Sequence, residues 1–136
     1  MGSVVSGLLG GGAVDASDST LEGSGVNVFH SSERWSLHFN DSKESNQLMV
    51  IDFAATWCGP CKFMEPAVKS MASKYTDVDF VKMDVDELPD VAQEFTVQAM
   101  PTFVLLKKGK EVERVIGAKK DELEKKIQKH RAVSNA

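Results

Sequence analysis

Cysteine is scarce in this sequence: two residues in 136, at positions 58 and 61. So few, and so close together, they exclude a disulfide-stapled secreted scaffold, because a bond between them closes a tiny loop and constrains the unfolded chain little. No apolar run approaches the ~18 residues that a membrane-spanning helix needs. A block of basic residues is missing too. The net charge is −4, and residues 1–25 supply Asp15, Asp18 and Glu22 with no Lys or Arg against them, while the remainder is near balance. That distribution offers neither a nucleic-acid surface nor a polybasic membrane anchor. What is present, 42% hydrophobic and 26% charged residues, is ordinary for one soluble domain long enough to bury a core. A reduced, cytosol-like compartment and a redox-active cysteine pair fit this composition.

Residues 1–25 hold seven of the ten glycines and few large side chains. Such a segment cannot bury enough surface to offset its ordering entropy, and it is expected to be a flexible extension. It is neither a secretory signal nor an organellar transit peptide: it has no basic start, Val4-Val5 and Leu8-Leu9 are separated by glycine, and the first Arg is Arg34. Residues 26–136 read as the folded domain. The patterning predicts a short edge strand at Val26–Phe29, then a helix capped by Ser31 or Ser32 and running to about Ser45. Leu48–Ala54 is nearly continuously apolar, as a central strand buried on both faces must be. A helix from about Pro60 to Tyr75 follows, its Met64, Ala67, Val68, Met71 and Tyr75 on one face and Pro66 expected to kink it. A strand at Val78–Asp84, a short helix at Pro89–Phe95, a hairpin of Thr102–Lys107 and Glu111–Ile116 around Lys108-Gly109-Lys110, and a helix at Lys119–Arg131 complete the order. Early alternation implies parallel pairing through crossover helices, and the hairpin adds antiparallel strands. The fold class is α/β, a mixed central β-sheet flanked by helices on both faces.

Cys58 falls where the buried strand gives way to a helix. The first N–H groups of a helix lack internal partners and the macrodipole is positive there, so a thiolate at Cys58 is stabilised and nucleophilic near neutral pH. Cys61 lies one turn inward, within reach of the same sulfur and expected to be more shielded. An exposed attacking thiolate and an inner resolving thiol are what exchange through a mixed disulfide requires. Gly59 and Pro60 fix the turn between them, Pro60 losing nothing by lacking an N–H there. Two plainer readings remain beside this one: half of a zinc site, for which His30, His38 and His130 are too scattered, and a pair of inert structural cysteines. Asp52 sits inside the apolar strand, where an isolated charge is costly and burial raises the carboxyl pKa toward neutrality. Alternatively it is paired with a lysine and merely plugs the core.

The run Phe53-Ala54-Ala55-Thr56-Trp57-Cys58-Gly59-Pro60-Cys61, with Asp52 six residues before the first Cys and Met100-Pro101-Thr102 downstream, resembles thioredoxin over about residues 26–131. Ser-Ser-Glu-Arg-Trp near the start and Asp-Val-Asp-Glu-Leu-Pro-Asp later are similar to the plant h-type, and the N-terminal extension to its extended subgroup. The resemblance implies a thioredoxin fold and a protein-disulfide reductase cycling between a dithiol and a Cys58–Cys61 disulfide, with no bound cofactor. It implies that Asp52 assists proton transfer at Cys61 with Lys82 as its lysine partner, a residue that alone reads as a solvated strand position. The Met100–Pro101 bond is implied to be cis and beside the cysteines, where the Met100 backbone, Trp57 and Gly117 form the substrate-docking surface. Gly117 also reads as a helix-entry turn glycine. The implied partners are disulfide-containing proteins and an NADPH-dependent flavoprotein thioredoxin reductase, with no nucleic acid, the chain acting as a monomer. A thioredoxin-fold interaction module without turnover, and an oxidising or isomerising role, are the competing functions.

The amino terminus carries a separate pattern. Met1-Gly2-Ser3-Val4-Val5-Ser6 matches an N-myristoylation site at Gly2, against the plain reading of an inert tail. A single acyl chain gives a weak, reversible membrane tether, so the expected location is the cytoplasm with partial association to endomembranes.

Overall fold

The computed structural model describes residues 24–131. The expected acyl site at Gly2 and all but the last two residues of the expected extension lie outside the described residues. Among the described residues, nine elements follow one another: β1 (Val26–Phe29), α1 (Ser32–Ser42), β2 (Met49–Ala54), α2 (Gly59–Lys74), β3 (Asp79–Asp84), α3 (Pro89–Glu94), β4 (Thr102–Lys107), β5 (Lys110–Ile116) and α4 (Lys120–His130). The strands form one sheet in the order β1-β3-β2-β4-β5. β1 and β2 pair parallel to β3, while β2–β4 and β4–β5 are antiparallel. The expected mixed sheet is present, with α1 and α3 on one face and α2 and α4 on the other.

β2 is central and buried at every position, which explains its near-continuous apolar sequence. Its pleat sorts the side chains: Met49, Ile51 and Phe53 enter the α1–α3 core, whereas Leu48 and Val50 enter the α2–α4 core. By the same alternation Asp52 belongs to the α2 side, two residues before Ala54, which packs with both cysteines. β3 repeats the pattern, with Val81 and Met83 toward α1–α3 and Phe80 toward α2–α4. Its Lys82 therefore shares the face of Asp52, and the two are register partners across β2 and β3.

The ends of elements differ from the sequence expectation by a few residues, for local reasons. α1 stops at Ser42 rather than Ser45, where the Ser42 hydroxyl donates to the Phe39 carbonyl at 2.6 Å. Its start is as read: Ser31 caps it, its hydroxyl accepting from Arg34 N–H at 3.2 Å. The hairpin turn is two residues, not three. Lys108 and Gly109 both have positive φ, +52° and +80°, the arrangement whose twist matches the flanking strands. Lys110 thereby joins β5, opposite Lys107. On α4, Leu123 and Ile127 are fully buried, and Lys126 binds Glu122 one turn away at 2.9 Å.

Candidate active site

Cys58 is the residue on which α2 begins. Its backbone is extended (φ −94°, ψ 112°), and its Sγ accepts a hydrogen bond from the Cys61 N–H at 3.1 Å. The sulfur thus does what a Ser or Asp oxygen does at other helix starts, satisfying a donor that has no partner inside the helix. Pro60 follows within the first turn, where no N–H is needed. Gly59 is exposed, and a Cβ there would meet nothing, so neither space nor backbone demands glycine. Cys58 and Cys61 are joined in a disulfide, with their Cα atoms 5.3 Å apart.

One expectation needs correcting. The helix-start argument makes Cys58 the exposed sulfur and Cys61 the shielded one, yet they are 4% and 5% exposed. Cys58 Sγ has the Cys61 N–H at 3.1 Å and the Met100 carbonyl oxygen at 3.6 Å. The two cysteines are distinguished by their place in the helix turn, not by exposure. Among the described residues no cluster of three His, Cys, Asp or Glu is arranged to hold a metal ion.

Asp52 is 5% exposed, and its Oδ1 has no hydrogen-bond partner among the described residues. Burial pushes this carboxyl from its ordinary 3.8 up to about 7; Lys82 pulls it back, and Glu65 adds to the rise. An acid near 7 both takes and returns a proton at neutral pH. Lys82 is itself 5% exposed, so its plain reading as a solvated strand residue fails. Glu65 was not singled out from the sequence, although it follows Cys61 by four residues on the same helix face, a spacing that points to it.

The Met100–Pro101 bond is cis. Pro101 is buried, Met100 partly so and packed against the cysteine cluster. Gly117 has φ +103° and donates its N–H to the Pro101 carbonyl at 2.8 Å. A side chain would be strained at that φ, so this glycine belongs to the loop contact as well as to the approach to α4. Trp57 is 68% exposed, and its indole N–H donates to Asp86 at 2.8 Å. Asp86 belongs to the Asp-Val-Asp-Glu-Leu-Pro-Asp run noted in the sequence, though its contact with Trp57 was not, and it is held in turn by its own N–H on Asp84 Oδ1. Trp57 is not alone in its exposure. Phe63, two residues beyond Cys61, is 70% exposed and Ile116, next to Gly117, 51%.

Comparison with known proteins agrees with this geometry. A family model described as thioredoxin matches residues 28–129. Thioredoxin H2 of Arabidopsis thaliana is 62% identical over 133 residues, covering 97% of this chain and all of that relative. Thioredoxin H2-2 of Oryza sativa subsp. japonica is 57% identical over 103 residues, 75% of this chain and 77% of the relative. Among solved structures, thioredoxin NaTrxh from Nicotiana alata superposes with a TM-score of 0.80 at 76% identity, covering 82% of this chain and 96% of that one.

Proposed function

This chain belongs to the thioredoxin family and is a thiol–disulfide oxidoreductase that reduces protein disulfides through Cys58 and Cys61, and from that premise we propose how the work is divided. The Cys58 thiolate attacks one sulfur of the substrate disulfide, forming a mixed disulfide and releasing the other substrate sulfur as a thiolate that takes up a proton. Cys61 loses its proton to Asp52 and attacks Cys58 Sγ, which forms the Cys58–Cys61 disulfide and frees the second substrate thiolate. Two electrons pass from the dithiol to the substrate. The observation that carries this assignment is the Cys61 N–H bonded to Cys58 Sγ, because a helix-start donor aimed at a sulfur lowers the cost of its negative charge. Lys82 tempers the Asp52 carboxyl, Gly59 and Pro60 span the first turn between the cysteines, and Met100, Pro101, Gly117 and Trp57 receive the substrate chain. The test is to compare Cys58→Ser with Cys61→Ser on a protein disulfide. Cys61→Ser accumulates a stable mixed disulfide and Cys58→Ser does not; capture by Cys58→Ser alone reverses the roles.

Membership of the family implies that an NADPH-dependent flavoprotein thioredoxin reductase restores the dithiol. The chain acts as a monomer in the cytoplasm, with residues 26–136 as the redox domain and residues 1–25 as an extension ahead of it. Acylation at Gly2 gives that extension a weak hold on endomembranes. Its charges are only acidic and it lacks cysteine for a second acyl group, so the hold is reversible.

A further inference from the structure

The turn that ends α3 is unusual, and it lies at the root of the loop that carries Met100 and Pro101. The Thr96 N–H bonds the Gln93 carbonyl at 3.0 Å and the Val97 N–H bonds the Ala92 carbonyl at 2.9 Å, the paired bonds of a helix stop that favours glycine. Thr96 holds the left-handed conformation there, at φ +55°. A β-branched residue is disfavoured at positive φ and stays there only when its surroundings hold it. Arg114, on β5, provides the hold. Its Nη2 donates to the Phe95 carbonyl at 2.6 Å and its Nη1 to the Thr96 carbonyl at 3.4 Å. Glu111 locks the opposite side of the guanidinium, accepting from Nε at 2.7 Å and from Nη2 at 2.9 Å. A planar fork braced on one side and binding carbonyls on the other is a geometry that lysine cannot reproduce.

β5 and the glycine that follows it therefore grip the loop at both ends. Arg114 holds its entry at residues 95 and 96, and Gly117, three residues further along, holds its exit at the Pro101 carbonyl. Between them the Thr102 hydroxyl takes the Ala99 carbonyl. The Met100 carbonyl, 3.6 Å from Cys58 Sγ, is suspended between these anchors.

We propose that Arg114, braced by Glu111, is a positioning residue that holds the Met100–Pro101 edge at the height where an extended protein segment pairs with it beside Cys58. The inference rests on the reading that this edge receives substrate. A small free disulfide needs only to reach Cys58, whereas a protein segment needs backbone donors and acceptors in register. Without the guanidinium the carbonyls of residues 95 and 96 turn to water, Thr96 relaxes, and the edge drifts.

The experiment measures steady-state reduction of insulin and of a small aromatic disulfide by the wild type, Arg114→Gln and Arg114→Lys. Arg114→Gln raises KM for insulin about fivefold to tenfold with kcat within about twofold, and the loss on insulin exceeds the loss on the small disulfide by at least about fivefold. Arg114→Lys restores part of the difference. Equal losses on both disulfides, or none, overturn the proposal, and a lowered melting temperature alone does not alter that ratio. The docking reading is checked separately by hydrogen exchange at the Met100 amide in Cys61→Ser joined to a substrate peptide. If the peptide gives no protection there, the reading fails and the proposal with it. If it protects while the ratio stays at the wild-type value, only the role of Arg114 is refuted.

Discussion

Replacing Asp52 by Asn removes the one described side chain whose burial is least compatible with its charge. A carboxyl held at about 7 in the folded chain and at an ordinary 3.8 in the unfolded one binds its proton more tightly when folded. Stability from this group is therefore undiminished below about pH 4, falls as pH rises toward 7, and is lowest above that. At about 1.36 kcal/mol per pH unit the full loss is about 4 kcal/mol. The Asp52→Asn variant lacks this penalty. Its advantage over the wild type grows from little near pH 4 to a ceiling of about 4 kcal/mol above pH 7, reduced where Lys82 loses the carboxylate it faces. Urea unfolding of both oxidised proteins at pH 4.5, 6 and 8 measures the difference, in which other carboxylates cancel. A difference that does not change with pH refutes the reasoning, whatever its size.

Glu113 has the opposite sign. The His130 hydrogen bond, then Lys129, holds its carboxyl down to about 2, below the ordinary 4.5, so its contribution is full above about 4.5 and disappears as pH falls through 2. Glu113→Gln should melt below the wild type at pH 6, with the gap closing in strong acid, as thermal scans at the two pH values will read. Gly2→Ala should abolish membrane association and leave insulin reduction as it was. Mass spectrometry of the protein from its native cells should show an acylated terminus, and an unmodified one refutes the tether.

The elements were legible because each carries a single dominant signal. β2 reads as a continuous apolar run since both its faces are covered, and α2 shows its start through Pro60 and its inner face through Met64, Val68 and Met71. Cys58, Cys61 and Asp52 were legible for the same reason: a thiol at a helix start and an acid in a buried strand conflict with their surroundings, and such conflicts concentrate at functional sites. The sequence was silent where a residue acts across the fold. Asp86 meets Trp57 over 29 positions and Arg114 meets Phe95 over 19, and no local pattern encodes either meeting. Exposure of the two cysteines was misread because the Met100 carbonyl, 3.6 Å from Cys58 Sγ, comes from 42 positions away and no local helix-start pattern shows it.

Asp52 is where stability and activity oppose each other most directly. The burial that makes its ionised form costly also places its pKa near the working pH, where a proton carrier is most effective. On the division of labour proposed for the two cysteines, buried Cys61 begins its step as a thiol and its attack on Cys58 waits on proton removal, while Cys58 attacks as a thiolate favoured by the helix start. The two half-reactions should therefore respond differently to Asp52→Asn. Formation of the mixed disulfide should keep its pH dependence, which belongs to Cys58. Resolution by Cys61 should slow by about a hundredfold, within the usual range for a positioned base, and should lose the inflection near pH 7. Rapid-mixing measurements that time the two steps separately across pH 5.5 to 9 distinguish them. An inflection near 7 that persists in the Asp52→Asn variant during resolution assigns that titration to another group and leaves Asp52 a purely structural residue.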